Sequence, residues 1–261
     1  MTTTAERLTR LLLPASPYEG FPVDQFAADE GDNPQGWGYR HWVFDYILKA
    51  TRPNVIIEVG TWKGASAIRM ASLCKELGLD SAVICVDTWL GSPEHIRKPD
   101  RNRHTDSLNR RWGYPQLYHT FMANVLKWNC QDVIVPFPAT SENAAVVFGQ
   151  VRLKADIVYI DAAHEYEPAL RDFMAYWELL SDGGYLIGDD YIGWEGVTKA
   201  ADEFARVKDS LLVGGRGKFV IRKGAEIPAE LRTMFEDSER KRLERERLER
   251  EAAEAEARNA A

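Results

Sequence analysis

Two segments far apart in the chain each run an apolar stretch into carboxylates. Asp156-Ile157-Val158-Tyr159-Ile160 leads into Asp161-Ala162-Ala163-His164, and Gly184-Tyr185-Leu186-Ile187-Gly188 leads into Asp189-Asp190. A run of Ile, Val, Leu and Tyr that stops at acid predicts a buried parallel strand delivering charge to its carboxyl end. That edge is where open α/β sheets bind their ligands. Asp161, Asp189 and Asp190 converging there would repel one another without a positive charge between them. A hard divalent cation with oxygen ligands, Mg²⁺ or Mn²⁺, meets that need. His164, three residues beyond Asp161, is suited to accept a proton near neutral pH. Its alternative role is that of a loop histidine capping the next helix.

A second set of chemical groups lies earlier. Glu58-Val59-Gly60-Thr61-Trp62-Lys63-Gly64-Ala65-Ser66 joins an apolar run to a helical one. Gly60 and Gly64 allow a tight turn and close approach to a ligand, and the helix beyond offers free N–H groups to an anionic moiety. Thr61 and Ser66 can add hydroxyl donors. The spacing is neither G-x-G-x-x-G nor G-x-x-x-x-G-K-[ST], which disfavours nicotinamide or flavin binding and leaves NTPase chemistry unsupported. Asp87 ends the next apolar run, where an acid in a doubly wound sheet accepts hydrogen bonds from a ribose diol. Ala139-Thr140-Ser141-Glu142-Asn143 offers compact polar groups, Ser141 among them, to an adenine edge; the same residues are also good helix-capping chemistry.

The elements that must position these groups follow from periodicity. Strands are predicted at Asn54–Gly60, Ser81–Asp87 and Val133–Phe137 and before Asp161 and Asp189. Helices are predicted near Tyr39–Ala50, Ala65–Leu77 and Pro168–Leu180. Alternating strand and helix implies a doubly wound, parallel sheet. Residues 1–50 read as a helix-and-loop cap and 51–227 as the catalytic domain. Within it, 88–128 is an insertion rich in Arg, His, Trp and Tyr, either a lid and substrate wall or a solvated loop with one helix. Residues 228–261 form a charged tail in which Ser238–Glu251 is almost all charge. They read as a solvated helical tail, with an oligomerisation arm as the alternative.

Bulk properties bound the answer. A chain of 261 residues, 45% apolar, buries a full core without disulfides. A net charge of −7 argues against sequence-independent nucleic-acid binding. Three cysteines in no metal-binding spacing argue against zinc, and Cys85 reads as a small buried hydrophobe. With no apolar leader and no membrane-spanning run, the expectation is a cytoplasmic protein without membrane or nucleic-acid partners, with homo-oligomerisation left open.

The stretch Ile57 to Met70 resembles the S-adenosylmethionine loop of class I methyltransferases. More narrowly, it resembles that of the metal-dependent catechol-type and macrolide-sugar O-methyltransferases. Asp161-Ala162-Ala163-His164-Glu165-Tyr166, the Leu179-to-Asp190 segment and Gly196-Val197-Thr198-Lys199-Ala200 are similar to the remaining motifs of those families, and the resemblance covers roughly 55–204. It implies a Rossmann-like, mostly parallel seven-stranded sheet with helices on both faces. It also implies S-adenosylmethionine held by Glu58, Gly60, Ser66 and Asp87, and Mg²⁺ or a similar ion held by Asp161, Asp189 and Asp190. Catechol-type enzymes carry Asn at the position of Asp190 and a Lys base at that of His164; His is found in the sugar-modifying relatives. The function implied is O-methylation of a hydroxyl on a small molecule, a sugar or glycosylated natural product, with His164 and Asp161 catalytic. A catechol or phenolic acceptor is the near alternative. A Rossmann-type oxidoreductase and a non-catalytic binding module are the remote ones.

Overall fold

The computed structural model describes residues 2–26, 36, 38–96 and 106–260. Seven strands form one sheet in the order β3-β2-β1-β4-β5-β7-β6. They are β1 (Val55–Val59), β2 (Ala82–Asp87), β3 (Ile134–Pro138), β4 (Ala155–Ile160), β5 (Leu180–Tyr191), β6 (Leu212–Gly215) and β7 (Gly217–Arg222). The first five pair in parallel, and β7 enters antiparallel against β5 and β6. The five expected strands are present, and the sheet is Rossmann-like, α/β and mostly parallel. The last two strands depart from the parallel rule because a short β6–β7 hairpin needs no crossover helix.

Helices cover both faces: α1 (Thr4–Leu12), α2 (Trp42–Thr51), α3 (Ala65–Glu76), the short α4 (Pro93–Ile96), α5 (Leu117–Lys127), α6 (Ser141–Gln150), α7 (Tyr166–Leu179), α8 (Glu195–Val207) and α9 (Ala229–Ala260). One face buries Phe44, Ile47, Met70, Phe121 and Tyr159; the other buries Phe148, Phe173, Tyr176 and Phe204. The central strands show no alternation because both faces are covered, and Ile56, Ile57, Val83 and Ile84 are all fully buried. Cys74, Cys85 and Cys130 are buried free thiols. Among the described residues no helix is long and apolar enough to cross a membrane.

Two boundaries expected from composition shift. In the insertion, Trp89, Leu117, Phe121, Met122 and Val125 belong to the core, so α5 is a packed helix. The insertion's segment from Thr88 to His95 does wall the main cavity. Arg97, Arg101, Arg103 and His104, expected in a lid, lie outside the described residues. The charged tail does not begin at 228 as a free helix: Leu231 and Phe235 are buried, and Phe235 packs edge-on to Trp42 at 4.8 Å. The composition hides this because the two apolar residues precede the charge run. Further on, Arg242 pairs with Glu239 and Glu246, and Leu243 and Leu248 are exposed. Leu231→Ala is therefore expected to cost about 2–5 kcal/mol in denaturant unfolding. A chain ending after Arg250 should unfold at the same midpoint as the full chain.

Candidate active site

A cavity of about 1020 Å³ opens at the carboxyl edge of the sheet, where β1, β2, β4 and β5 end. Gly60, Thr61, Trp62 and Asp87 lie on its wall, with Ser141 and Glu142 along one side and Asp161, His164, Asp189 and Asp190 along another. Gly60 is required on two grounds. Its φ is +83°, and a Cβ there would sit 1.9 Å from the carbonyl oxygen of Asp161. Close contact between the ends of β1 and β4 brings the glycine loop against the carboxylate cluster.

The loop is built from beneath. Glu58 is fully buried and accepts hydrogen bonds from the hydroxyls of Thr61 (3.1 Å) and Ser66, with the Cys85 thiol at 3.7 Å. Burial pushes its carboxyl up to about 7, against those hydrogen bonds. Glu58 therefore lies off the cavity wall, as does Gly64, whose missing side chain makes room for Phe121. Thr61 and Ser66 line the cavity, but their hydroxyls are turned to Glu58. Asp87 braces the loop from the other side. Its Oδ2 accepts from the Thr61 and Trp62 N–H groups (2.9 and 2.8 Å) and its Oδ1 from that of Trp89 (2.7 Å). Trp62 and Trp89 adopt the left-handed backbone that this capture imposes. Ser141 opens α6 beneath the Thr140 cap, and its carbonyl accepts from the Tyr176 hydroxyl at 3.0 Å.

The carboxylate cluster divides in two. Lys218, 1% exposed, donates to Asp189 Oδ2 at 2.6 Å and to the Tyr159 hydroxyl at 3.0 Å. It stands directly opposite Asp189 in the β5–β7 register. The Tyr159 hydroxyl is 2.7 Å from Asp189 Oδ2 and 3.0 Å from Asp161 Oδ2, and its single proton serves one at a time. Asp189 Oδ1 accepts the Asp190 N–H at 2.9 Å. Burial opposes the charge on Asp189, but Lys218 and the hydrogen bonds offset it and hold the carboxyl below its ordinary value. Asp161 is held well above its ordinary value by its removal from water and by Asp189, with Lys218 opposing. The positive charge that three acids demand is thus supplied in part by a lysine, at Asp189. Asp161, His164 and Asp190 remain together, with one ligand atom from each inside a 4.8 Å span.

His164 is held by what surrounds it. Its Nε2 is 3.0 Å from Asp190 Oδ2, and its ring stacks on Trp194 at 4.3 Å and 18°. Glu165, not His164, occupies the N-cap position of α7. A Cβ on Gly196 would lie 2.4 Å from the His164 carbonyl, so the first turn of α8 reaches this loop only with glycine there. Lys218, Tyr159 and Trp194 were not foreseen from sequence. The available signal was a lysine preceding the apolar run Phe219-Val220-Ile221.

Ionised Glu58 has a measurable consequence. A carboxyl harder to ionise in the folded chain than in the unfolded one binds more protons when folded. Its contribution to stability is therefore greatest below about pH 4.5 and is lost as pH rises through 7. Glu58→Gln should remove that loss, worth about 3 kcal/mol. Melting curves should show it flattening the decline between pH 4.5 and 7.

Comparison with known proteins agrees with the fold. A family model described as a methyltransferase domain matches residues 57–191. Over 138 residues the chain is 25% identical to the uncharacterized protein R132 of Acanthamoeba polyphaga mimivirus, across 52% of this chain and 50% of that protein. It thus spans about half the length of that relative. Among solved structures, the O-methyltransferase NovP shares 18% identity over 70% of this chain and 80% of its own, with a TM-score of 0.51. The calicheamicin methyltransferase CalS11 shares 19% identity over 85% of this chain and 92% of its own, with a TM-score of 0.53. At these identities the likeness is one of fold.

Proposed function

Because the chain belongs to the methyltransferase-domain family, we propose that it is an S-adenosylmethionine-dependent O-methyltransferase. Its acceptor would be a hydroxyl of a small molecule, a sugar or glycosylated natural product. One observation carries this reading: a single cavity joins the glycine loop braced by Asp87 to the Asp161, His164 and Asp190 group. The loop end suits a nucleoside, and the acidic end suits a hydroxylated acceptor. Histidine at 164, where catechol-type enzymes carry lysine, supports a sugar over a phenol.

When bound, S-adenosylmethionine supplies an electrophilic methyl on a sulfonium. The chain's own residues place and prepare the partner. Gly60 and the backbone of Thr61 and Trp62 line one end, and Asp87, on the same wall, is the acid that would face a ribose diol. Ser141 and Glu142 stand beside the position for the base. His164, oriented by Asp190 and packed on Trp194, accepts the acceptor's proton. Holding acceptor and donor in line removes much of the cost of bringing two reactants together.

Asp161, His164 and Asp190 are also the residues that would hold a divalent cation; an ion on the imidazole would take its one lone pair, so in that state the ion and not His164 would prepare the acceptor hydroxyl. Two carboxylates and an imidazole nitrogen fit an ion that accepts nitrogen, and so Mn²⁺ better than Mg²⁺. Bound there, such an ion would lower the pKa of an acceptor hydroxyl.

Calorimetry should show binding of S-adenosylmethionine and none of NAD, which would separate this reading from an oxidoreductase. His164→Ala should lower turnover roughly 10²–10⁴-fold while leaving S-adenosylmethionine affinity unchanged. Full turnover in that variant at every pH would remove His164 from the proton transfer.

A further inference from the structure

The Lys218 ammonium sits inside a group of acids that, on the functional reading above, would otherwise form an all-carboxylate metal site. Its position is structural. It lies on β7, between β5 and the edge strand β6, directly opposite Asp189, with its Nζ 5.2 Å from the Phe44 ring centroid and 4.8 Å from that of Tyr159. It is 1% exposed. Asp189 Oδ2 accepts from Lys218 and Tyr159, and Oδ1 accepts the Asp190 N–H. A cation drawn to the cluster would meet two carboxylates instead of three, a nitrogen ligand at His164, and a fixed positive charge behind Asp189.

We propose that Lys218 determines which ion the site accepts: by occupying Asp189 it disfavours Mg²⁺ and leaves a nitrogen-containing site for Mn²⁺. Mg²⁺ gains most from a high count of charged oxygen ligands and gains little from imidazole. Mn²⁺ tolerates the nitrogen and loses less when an acid is withdrawn. Neutralising Lys218 frees Asp189 and restores three carboxylates. The selectivity should then move toward Mg²⁺, a gain that mere damage to the fold would not produce. Lys218 is on this account a positioning residue, since it acts through Asp189 and Tyr159.

The test is metal binding by the full chain, read by calorimetry with MnCl₂ or MgCl₂ alone and without acceptor or S-adenosylmethionine. Wild-type protein should bind Mn²⁺ at least roughly tenfold more tightly than Mg²⁺. In Lys218→Met the ratio of Mg²⁺ to Mn²⁺ affinity should rise by at least about tenfold, as ligand charge count increases. Adding Asp189→Asn to Lys218→Met should abolish that rise, and this charge-neutral double variant keeps the comparison available should the single variant fold poorly. An unchanged ratio in Lys218→Met, or tight Mg²⁺ binding by wild type, overturns the proposal. Failure of wild type to bind Mn²⁺ while still binding S-adenosylmethionine also overturns it, and leaves the methyltransferase reading standing.

Discussion

The ammonium of Lys218 lies buried between the carboxylate of Asp189 and the phenol of Tyr159, and three strands meet at that point. A charge removed from water costs several kcal/mol unless it is paired and hydrogen-bonded. Here each partner satisfies another: lysine offsets the acid, and the phenol bridges toward Asp161. The bridge ties β4, β5 and β7 together at the edge where the chemistry is placed. It also sets the registers of the groups beyond it, because Asp190 donates its N–H to Asp189 and faces His164. A shift of one residue in the β5–β7 pairing would turn Lys218 to the opposite face and leave Asp189 uncompensated.

The opposite side of the cavity follows a related logic without a cation. Glu58 is buried beneath the glycine loop and Asp87 stands beside it. Between them they collect the loop's hydroxyls and backbone N–H groups. The consequence is a loop whose polar groups are already spent on its own shape, presenting its backbone and a glycine to the cavity. Its rigidity is bought with the elevated pKa of Glu58. The two halves touch where Gly60 passes the Asp161 carbonyl, a contact that any larger residue would force apart.

Much of this was legible in the sequence, for reasons that can be named. Strands buried on both faces, such as β1 and β4, read as apolar runs with one acid inside each, Glu58 and Asp156, and the acids that follow β4 and end β5 stand out against that background. Asp161, His164 and Asp190 fall together because the parallel sheet aligns the ends of β4 and β5. The partners of those acids were not legible. Lys218 lies some thirty residues from Asp189 and reaches it only through the antiparallel return of β7, and strand pairing is not written in local periodicity. The hydroxyls of Thr61 and Ser66 look equally able to face a ligand or a buried acid, and only the burial of Glu58 decides. Leu231 and Phe235 were masked by the charge run that follows them, although each is seated in the core.

The bridge between Lys218 and Asp189 can be measured through unfolding free energies of Lys218→Met, Asp189→Asn and the double variant, determined in denaturant with metal chelated. Removing Lys218 alone strands buried acids and should cost about 3–5 kcal/mol, whereas the double variant, with no charge left to pair, should recover most of that loss. Additive losses, with the double variant as unstable as the sum of the singles, would contradict the account. They would mean that the two side chains contribute independently and that the sheet edge is organised by something else.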